Sequence, residues 1–429
     1  MPNLYPHQEE ALRLTRGKNK VAYYLDMGLG KTFCATEKMK ELDAPLTLIV
    51  CPKSLIDTWK QHLRVYYFCL SISDLSNIKN KISDNAKIAI INYDLVWRRP
   101  ELLKLKNYTL ILDESSYIKN ERSKRAKFIM KMKPDNIILL SGTPTGGKYE
   151  ELYSQARLLG WKITKKAYWE NYVETVDMNV GGFKIKKVVG YKNTERLKRK
   201  FREHGAVFMK TEDVFSLPEQ IDIRIACKKP NLYKKFQRNH LVEIDGKELV
   251  GDTPLTRMLY SRQLASQYNE DKINKLKELI EGTNDRLIIF YNFQEELEVI
   301  KSLTNRPMSF VNGTTKDLEA YEQEKDSITL IQYQAGSMGL NLQKANKIIY
   351  FSLTLSAEQW LQSKKRTNRI GQTKTCFYYY LLTTDSIDEQ ILETLETRRD
   401  YTLELFKNGG NDEGEGLRKQ ESKAIPQVA

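Results

Sequence analysis

The 429-residue sequence predicts an α/β fold made of two doubly wound parallel-sheet lobes, with helical protrusions inserted between and beside them. Short apolar runs alternate with stretches of helical periodicity, which is the pattern of α/β domains built on parallel sheets. The chain is also longer than a single domain usually is, so two hydrophobic cores are expected. A hydrophobic content of 41% is sufficient to build them.

A glycine-rich loop, residues 26–32 (DMGLGKT), follows the first apolar run, residues 21–25. A strand, a glycine turn and a helix that opens with Lys-Thr allow backbone N–H groups to surround phosphate oxygens. Lys31 is then expected to bind the β- and γ-phosphates, and the Thr32 hydroxyl to bind Mg²⁺. The strict pattern has glycine where Leu25 stands, so a chance turn is the alternative. The predicted nucleotide-binding residues here are Met27, Gly28, Leu29, Gly30, Lys31 and Thr32.

Two adjacent acidic residues follow a second predicted strand. Residues 108–112 are apolar enough for a buried parallel strand, and Asp113 and Glu114 follow directly. Open α/β sheets bind ligands at this end of their strands. Asp113 is predicted to hold Mg²⁺ and Glu114 to orient the attacking water, because phosphoryl transfer needs mainly positioning and charge neutralisation. The alternative is a strand that ends in a solvated acidic turn.

Small hydroxyl side chains follow a third apolar run, residues 136–140. Ser141 and Thr143 lie in the sequence Ser-Gly-Thr-Pro and are expected at the same sheet edge. There they can sense the γ-phosphate and transmit its loss. An ordinary turn is the alternative interpretation.

Near the other end of the chain, residues 362–372 (QSKKRTNRIGQ) place Arg366 and Arg369 three residues apart. A site that transfers phosphate needs positive charge on the side that faces the phosphate loop. These two arginines are therefore predicted to complete the nucleotide site that the glycine-rich loop begins.

In chain order, these segments resemble the motifs of Swi/Snf-type ATPases of helicase superfamily two, in a compact bacterial or bacteriophage form. The resemblance runs from Gln8 to Gln372, and the ending Arg-Ile-Gly-Gln is nearly a signature of that group. It implies two RecA-like lobes and an ATP hydrolase of the helicase-like translocase type that depends on DNA. The implied cofactors are ATP and Mg²⁺.

The resemblance also implies roles for individual residues. Gln8 would read the adenine base. The implied catalytic residues are Lys31, Asp113, Glu114, Arg366 and Arg369, and the implied metal-binding residues are Thr32 and Asp113. The residues implied to couple the two lobes are Ser141, Thr143, Gly339 and Gln362. The implied DNA contacts are Pro52, Lys53, Ser54, Asn92, Tyr93, Lys184, Lys186, Lys187 and Asn341.

The chain departs from the group's pattern at four positions of the second lobe. Ser352 stands where an aspartate is usual, and Asn368 stands where a histidine is common. Thr354 and Leu355 replace a tryptophan pair.

The predicted domains are lobe 1 at residues 1–215, lobe 2 at residues 216–408 and a disordered tail at residues 409–429. Lobe 1 is expected to carry a helix-hairpin protrusion at about residues 150–205, with a hairpin at residues 176–189 that turns at Gly181 and Gly182. Lobe 2 is expected to carry a helical protrusion at about residues 230–280. The tail lacks the apolar content needed to fold.

Composition indicates a polyanionic partner. Lys and Arg number 69 against 55 Asp and Glu, which gives a net charge of +14 and a pI near 9.2. Double-stranded DNA is the expected partner, with single-stranded DNA as the alternative. The five scattered cysteines form no C-x-x-C pair, which favours reduced cytosolic thiols over structural zinc.

The sequence has no run of 18 apolar residues and no signal peptide at its start, so a cytoplasmic protein without membrane contact is expected. It is expected to be a monomer in isolation, and it gives no indication of a protein partner.

Four functions are compatible with these features. The first is ATP-driven translocation along double-stranded DNA, which remodels DNA or protein–DNA complexes. The second is a strand-separating helicase that uses the hairpin at residues 176–189 as a wedge. The third is a catalytically inactive nucleic-acid-binding scaffold. The fourth is an unrelated phosphate-loop enzyme that acts on small molecules.

Overall fold

The computed structural model describes residues 3–67, 70–180, 183–244, 246–334 and 340–406. They form two compact units, of which the first runs to Ser216 and the second from Leu217 to Arg399.

Unit 1 is built on one parallel sheet and a separate hairpin. Its strands are β1 (Lys20–Leu25), β2 (Leu46–Cys51), β3 (Ile72–Asp74), β4 (Ile88–Asn92), β5 (Tyr108–Asp113), β6 (Asn136–Leu140), β7 (Val173–Val180), β8 (Phe183–Tyr191) and β9 (Ala206–Met209). Its helices are α1 (Pro6–Leu14), α2 (Lys31–Leu42), α3 (Ile56–Tyr66), α4 (Tyr93–Val96), α5 (Lys124–Ile129), α6 (Tyr153–Leu158), α7 (Lys165–Tyr172), α8 (Thr194–Glu203) and α9 (Thr211–Val214).

The main sheet of unit 1 has the strand order β3-β4-β2-β5-β6-β1-β9, and all its neighbouring strands are parallel. Every residue of β4 and β5 is buried. Parallel sheets covered on both faces give such near-continuous apolar strands. The predicted doubly wound fold is confirmed for this unit.

The sheet extends beyond its predicted strands, because β9 returns after the hairpin region and pairs with β1. Ala22 is opposite Ala206, and Leu25 is opposite Met209. With only four residues, β9 is too short to show a periodicity of its own. The sequence alone therefore does not distinguish this edge strand from a connection.

The region between β6 and β9 contains helices and the antiparallel pair β7–β8, in which Asp177 is opposite Lys186. The hairpin is longer than the predicted residues 176–189, and Gly181 and Gly182 lie outside the described residues. The helical part of the predicted protrusion that precedes the hairpin is divided between two helices. α6 ends before Gly160, whose φ of +91° lies in the left-handed region, and Thr164 caps the next helix, α7.

Unit 2 is built on a second sheet. Its strands are β10 (Gln220–Cys227), β11 (Leu241–Ile244), β12 (Lys247–Val250), β13 (Leu287–Tyr291), β14 (Met308–Val311), β15 (Lys316–Asp317), β16 (Ile328–Gln332), β17 (Lys347–Tyr350) and β18 (Cys376–Thr383). Its helices are α10 (Asn231–Asn239), α11 (Pro254–Ala265), α12 (Glu270–Glu281), α13 (Gln294–Ser302), α14 (Glu319–Gln323), α15 (Ala357–Lys364) and α16 (Ile387–Phe406).

The second sheet has the order β10-β18-β17-β13-β16-β14-β15 and is parallel except for the edge pair β14–β15. The fold-class prediction is therefore confirmed for this unit as well. Within the described ranges, no helix combines the length and the apolar character needed to cross a bilayer.

The stretch at residues 230–280 is not helical throughout, which corrects the prediction of an all-helical protrusion. The short hairpin β11–β12 lies between α10 and α11, and it buries Val242 and Leu249 in a small cluster with Tyr233 and Phe236. Each of these strands has four residues, so their alternation is too brief to be separated from helical periodicity in the sequence.

Candidate functional site

The glycine-rich loop joins the end of β1 to the start of α2 at Lys31. Gly28 and Gly30 have φ values of +87° and +74°, in the left-handed region that favours glycine. A Cβ atom added at Gly30 would lie 2.1 Å from Nε2 of Gln8. Position 30 therefore requires glycine both for its backbone angle and for the close approach of Gln8.

The loop is held by the segment that follows β9. The Asp26 N–H donates to the Met209 carbonyl at 2.9 Å, and the Thr211 hydroxyl donates to Oδ2 of Asp26 at 3.1 Å. The other carboxylate oxygen of Asp26 accepts from the Met27 N–H at 2.8 Å. Sequence reasoning missed the role of Thr211, because it is distant from the loop along the chain.

Gln8 braces the same loop. Its Nε2 donates to the Leu29 carbonyl at 3.1 Å, and its Oε1 accepts from the Tyr5 N–H at 3.0 Å. The adjacent His7 ring nitrogen Nε2 also lies 2.9 Å from the Leu29 carbonyl. The amide of Gln8 thus has both a donor and an acceptor engaged within the protein, and its predicted contact with adenine stays a prediction.

Lys31 projects toward the edge of the sheet. Its Nζ donates to the Leu25 carbonyl at 3.0 Å. A Cβ atom added at Gly142 would lie 3.3 Å from the same Nζ, so the lysine also adjoins the Ser-Gly-Thr-Pro segment. Two of the predicted motifs therefore meet at this ammonium group, and its charge also acts on Asp113.

Asp113 is a buried carboxylate with two fixed donors. The Trp59 indole N–H donates to its Oδ2 at 2.8 Å, and the Glu114 N–H donates to its Oδ1 at 3.0 Å. Burial raises the pKa of the Asp113 carboxyl, while the Trp59 hydrogen bond and the Lys31 charge act in the opposite direction. Trp59 was not predicted as a site residue, because helical spacing alone does not reveal the target of its indole N–H.

Glu114 connects the carboxylate pair to the third motif. Its φ of +53° is in the left-handed region, and its Oε2 accepts from the Ser141 hydroxyl at 3.1 Å. Oγ of Ser141 in turn accepts from the Thr143 N–H at 3.1 Å. The buried Thr143 hydroxyl has no hydrogen-bond partner among the described residues. A ligand at this edge could satisfy that hydroxyl.

The predicted DNA contacts of unit 1 differ in accessibility. Lys53 and Ser54 are exposed in a 3-10 turn after β2, whereas Pro52 is buried. Asn92 caps α4 by accepting from two backbone N–H groups, at 3.0 Å each. Tyr93 is buried and donates to the Asp113 carbonyl at 2.9 Å. Both side chains thus have structural partners within the protein, and their predicted contact with DNA stays a prediction.

The hairpin presents some of the predicted lysines to solvent. Lys186 and Lys187 are exposed on β8, opposite Asp177 and Val176 respectively. The side chain of Lys184 lies outside the described part of the chain.

In unit 2, the two arginines contact the segment that contains Asn341, which was predicted to bind DNA. Nη1 atoms of Arg366 and Arg369 donate to the Leu340 carbonyl at 3.4 and 3.3 Å, and Arg369 also donates to Oδ1 of Asn341. Gln362 is buried nearby along α15. Gly339, which was predicted to act in coupling, lies outside the described residues.

Gln372 fastens the arginine segment to the same neighbour. Its Nε2 donates to the carbonyls of Gln343 and Ala345 at 3.1 and 2.9 Å. The Leu342 N–H also donates to the Arg366 carbonyl at 3.1 Å. The sequence pattern predicted no role for Gln372. In the structure, its hydrogen bonds join the arginine segment to residues 343–345.

Two family models match the chain. The SNF2-related domain matches residues 23–272, and the helicase conserved C-terminal domain matches residues 271–371. The boundary between the two matches lies inside unit 2, within α12.

Curated relatives match over most of this chain. The putative ATP-dependent helicase/translocase YwqA of Bacillus subtilis is 24% identical over 89% of the chain and 46% of its own length. The transcription regulatory protein SNF2 of Saccharomyces cerevisiae is 23% identical over 92% of the chain and 27% of its own length. The chain thus spans about half the length, or less, of these relatives.

Among solved structures, the Sulfolobus solfataricus SWI2/SNF2 ATPase core in complex with dsDNA is similar to this chain. It is 21% identical, with a TM-score of 0.46, and the similarity covers 93% of this chain and 92% of that one.

Proposed function

Because this chain belongs to the SNF2-related family, we propose that it is a DNA-dependent ATPase that couples ATP hydrolysis to translocation along double-stranded DNA. The observation that carries the proposal is the convergence of three motifs at one edge of unit 1. Lys31 adjoins Gly142, and Glu114 accepts from Ser141. A phosphate loop, a carboxylate pair and a hydroxyl segment are thus placed around one position.

The residues at this edge have the chemistry to hold MgATP. Backbone N–H groups of the loop and the Lys31 ammonium would bind the phosphates. Thr32 and Asp113 would hold Mg²⁺, which when bound neutralises charge on the phosphates. Oxygen ligands of this kind suit magnesium, which proteins usually bind through one or two carboxylates and substrate phosphates.

Glu114 is the residue that would orient the attacking water. Its left-handed backbone turns the carboxylate toward Ser141, so the oxygen Oε2 is held at a fixed position. The unpartnered Thr143 hydroxyl is available to a γ-phosphate oxygen. Departure of the phosphate product after hydrolysis would release Thr143 and, through Ser141, the water-orienting carboxylate.

Arg366 and Arg369 of unit 2 are proposed to stabilise the negative charge of the transition state. Arginines supplied in this way raise the rate of phosphoryl transfer by roughly 10³–10⁵. We infer that hydrolysis is therefore rapid only when DNA favours the arrangement in which the arginines reach the nucleotide. Each cycle of engagement and release would then advance the protein along its track.

The proposed track is the DNA duplex. A net charge of +14 favours a polyanion, and exposed Lys53, Lys186 and Lys187 are candidates to bind its phosphates. The helicase alternative is supported by one observation, the exposed apolar side chains Val176 and Ile185 on the hairpin, which could separate bases.

The test compares ATP hydrolysis with duplex DNA, single-stranded DNA and RNA, followed by two displacement assays. Translocation on the duplex predicts duplex-stimulated hydrolysis and ATP-dependent removal of a third strand from a triplex, without unwinding of a tailed duplex. Unwinding that disappears when the hairpin is shortened would support the helicase instead. Absence of ATP hydrolysis under all these conditions would instead favour a catalytically inactive nucleic-acid-binding scaffold.

A further inference from the structure

The segment that carries the two arginines is attached to the first residues of unit 2. The Asn368 side-chain N–H₂ donates to the Pro218 carbonyl at 3.0 Å. Nζ of Lys364 pairs with both carboxylate oxygens of Asp222, at 2.6 and 2.9 Å. The two contacts occur on either side of Arg366, so this part of the chain is held at two points.

The Lys364 ammonium group is buried beside aromatic rings, whereas its partner Asp222 is exposed at the surface. Its Nζ lies 4.5 Å from the centre of the Tyr378 ring and 5.5 Å from that of Trp360. Tyr380 donates to Oδ1 of the paired carboxylate of Asp222 at 3.1 Å. A buried ammonium group is costly unless it is paired in good geometry, so Asp222 fixes where Lys364 can lie.

The partners in these two contacts, Pro218 and Asp222, lie at the start of a strand that the sheet holds in place. β10 pairs with β18, with Gln220 opposite Cys376 and Asp222 opposite Tyr378. The Cys376 N–H also donates to the Glu219 carbonyl at 2.8 Å. Residues 218–222 are therefore a rigid support, and they lie directly after the point where unit 1 ends, at Ser216.

We propose that residues 218–222 set the position of Arg366 and Arg369, and that Asn368 and Lys364 are the positioning residues through which they do so. This inference rests on the proposed function, in which the arginines act on the transferring phosphate. A displacement of about 1 Å at a reacting group can lower a rate by roughly 10²-fold. Removal of either contact is therefore expected to lower kcat without removing a group that binds ATP.

Two substitutions of Asn368 can separate the effect of its hydrogen-bond donor from the effect of its side-chain volume. Asn368→Ala removes the N–H that Pro218 accepts, whereas Asn368→His supplies another N–H at the position where the resembling group commonly has histidine. The two variants should therefore differ in ATPase activity if the hydrogen bond positions the segment. They should have the same activity if Asn368 only fills space.

A matched control exists in the same unit. Lys272 and Asp388 form an ion pair at 2.7 Å that is buried at both ends, and Oδ2 of Asp388 also accepts from the Thr383 N–H. Asp388→Asn should lower the unfolding temperature at least as much as Asp222→Asn, but it does not touch the arginine segment.

The experiment measures DNA-stimulated kcat, KM for ATP and amide hydrogen exchange over residues 365–372 in the full chain. Asn368→Ala and Asp222→Asn should lower kcat by about 10- to 100-fold, leave KM near its wild-type value and speed the exchange. Asn368→His should recover most of kcat, and Asp388→Asn should keep both kcat and the exchange rate.

Wild-type kcat and wild-type exchange in Asn368→Ala would overturn the positioning role. An equal decrease of kcat in Asp388→Asn would also overturn it, because general destabilisation would then explain the effect. If the wild-type protein hydrolyses no ATP, the proposed function fails, and the exchange measurement alone decides whether residues 218–222 support this segment.

Discussion

Replacing Trp59 by phenylalanine removes one hydrogen bond from the buried carboxylate of Asp113 and keeps an aromatic ring, of smaller volume, at this buried position. The indole N–H lies 2.8 Å from Oδ2, and Trp59 is 2% exposed. A hydrogen bond to a charged group contributes about 1.5–3 kcal/mol. Because this hydrogen bond favours the ionised form, the pKa of Asp113 should rise further in Trp59→Phe.

The sign of the effect follows from the state that binds magnesium. Asp113 must be ionised to hold Mg²⁺, and burial already raises its pKa, so a further rise leaves more of it protonated. The acidic limb of the pH–rate profile should therefore move to higher pH. The stability of the variant should also depend more strongly on pH. A carboxyl whose pKa is higher in the folded state than in the unfolded state stabilises the fold below the unfolded pKa. That stabilisation is lost as the pH rises through the folded pKa.

The assay is kcat/KM for ATP hydrolysis between acidic and mildly alkaline pH, at several Mg²⁺ concentrations. Trp161→Phe is the control, since that ring packs against Tyr168, Tyr172 and His204 in the same unit. Trp59→Phe should shift the acidic limb and need more Mg²⁺, whereas the control should do neither. Coincident profiles for Trp59→Phe and wild type would refute the role of this hydrogen bond.

Further predictions concern the loop and the hairpin. Lys31→Ala should abolish ATP turnover while leaving the thermal unfolding transition in place, since the side chain is only half-buried; unchanged turnover would reject the site. Gly30→Ala should lower stability by about 1–2 kcal/mol from its left-handed backbone alone and displace Gln8, measured by denaturant unfolding and nucleotide affinity. Lys186→Gln with Lys187→Gln should weaken DNA binding and reduce its salt slope by about 0.9 for each DNA phosphate that the variant no longer neutralises, and an unchanged slope would place the hairpin away from the backbone.

The glycine-rich loop and the carboxylate pair at the end of β5 could be located from the sequence because their patterns are local. A phosphate loop needs glycines and Lys-Thr in consecutive positions, and β5 shows its burial in its own composition. Trp59 and Thr211 could not be predicted in the same way. Each acts through a side chain that reaches a carboxylate distant in sequence, and only the sheet order brings them together.

Other structural roles escaped the sequence for a related reason. Asn92 and Tyr93 follow a buried strand, as site residues often do, and the sequence does not show that they supply a helix cap and a core hydroxyl. The short strands β9, β11 and β12 were missed because four residues do not define a period. Whether such a run pairs with a sheet is decided by partners elsewhere in the chain.

The pairing of β9 with β1 makes the region between β6 and β9 an insertion into the sheet of unit 1. β6 and β9 flank β1 on its two sides, and Tyr23 of β1 is opposite both Leu140 and Val207. Neighbouring strands are about 4.8 Å apart, so the region leaves and re-enters the sheet at points separated by roughly 10 Å. A span of that size can be closed by a short linker or by a much longer insertion. The hairpin β7–β8 is therefore free to diversify in evolution, while the helices of the same region, which supply Ala156, Tyr168 and Phe201 to the core of unit 1, and the two neighbours of β1 are retained.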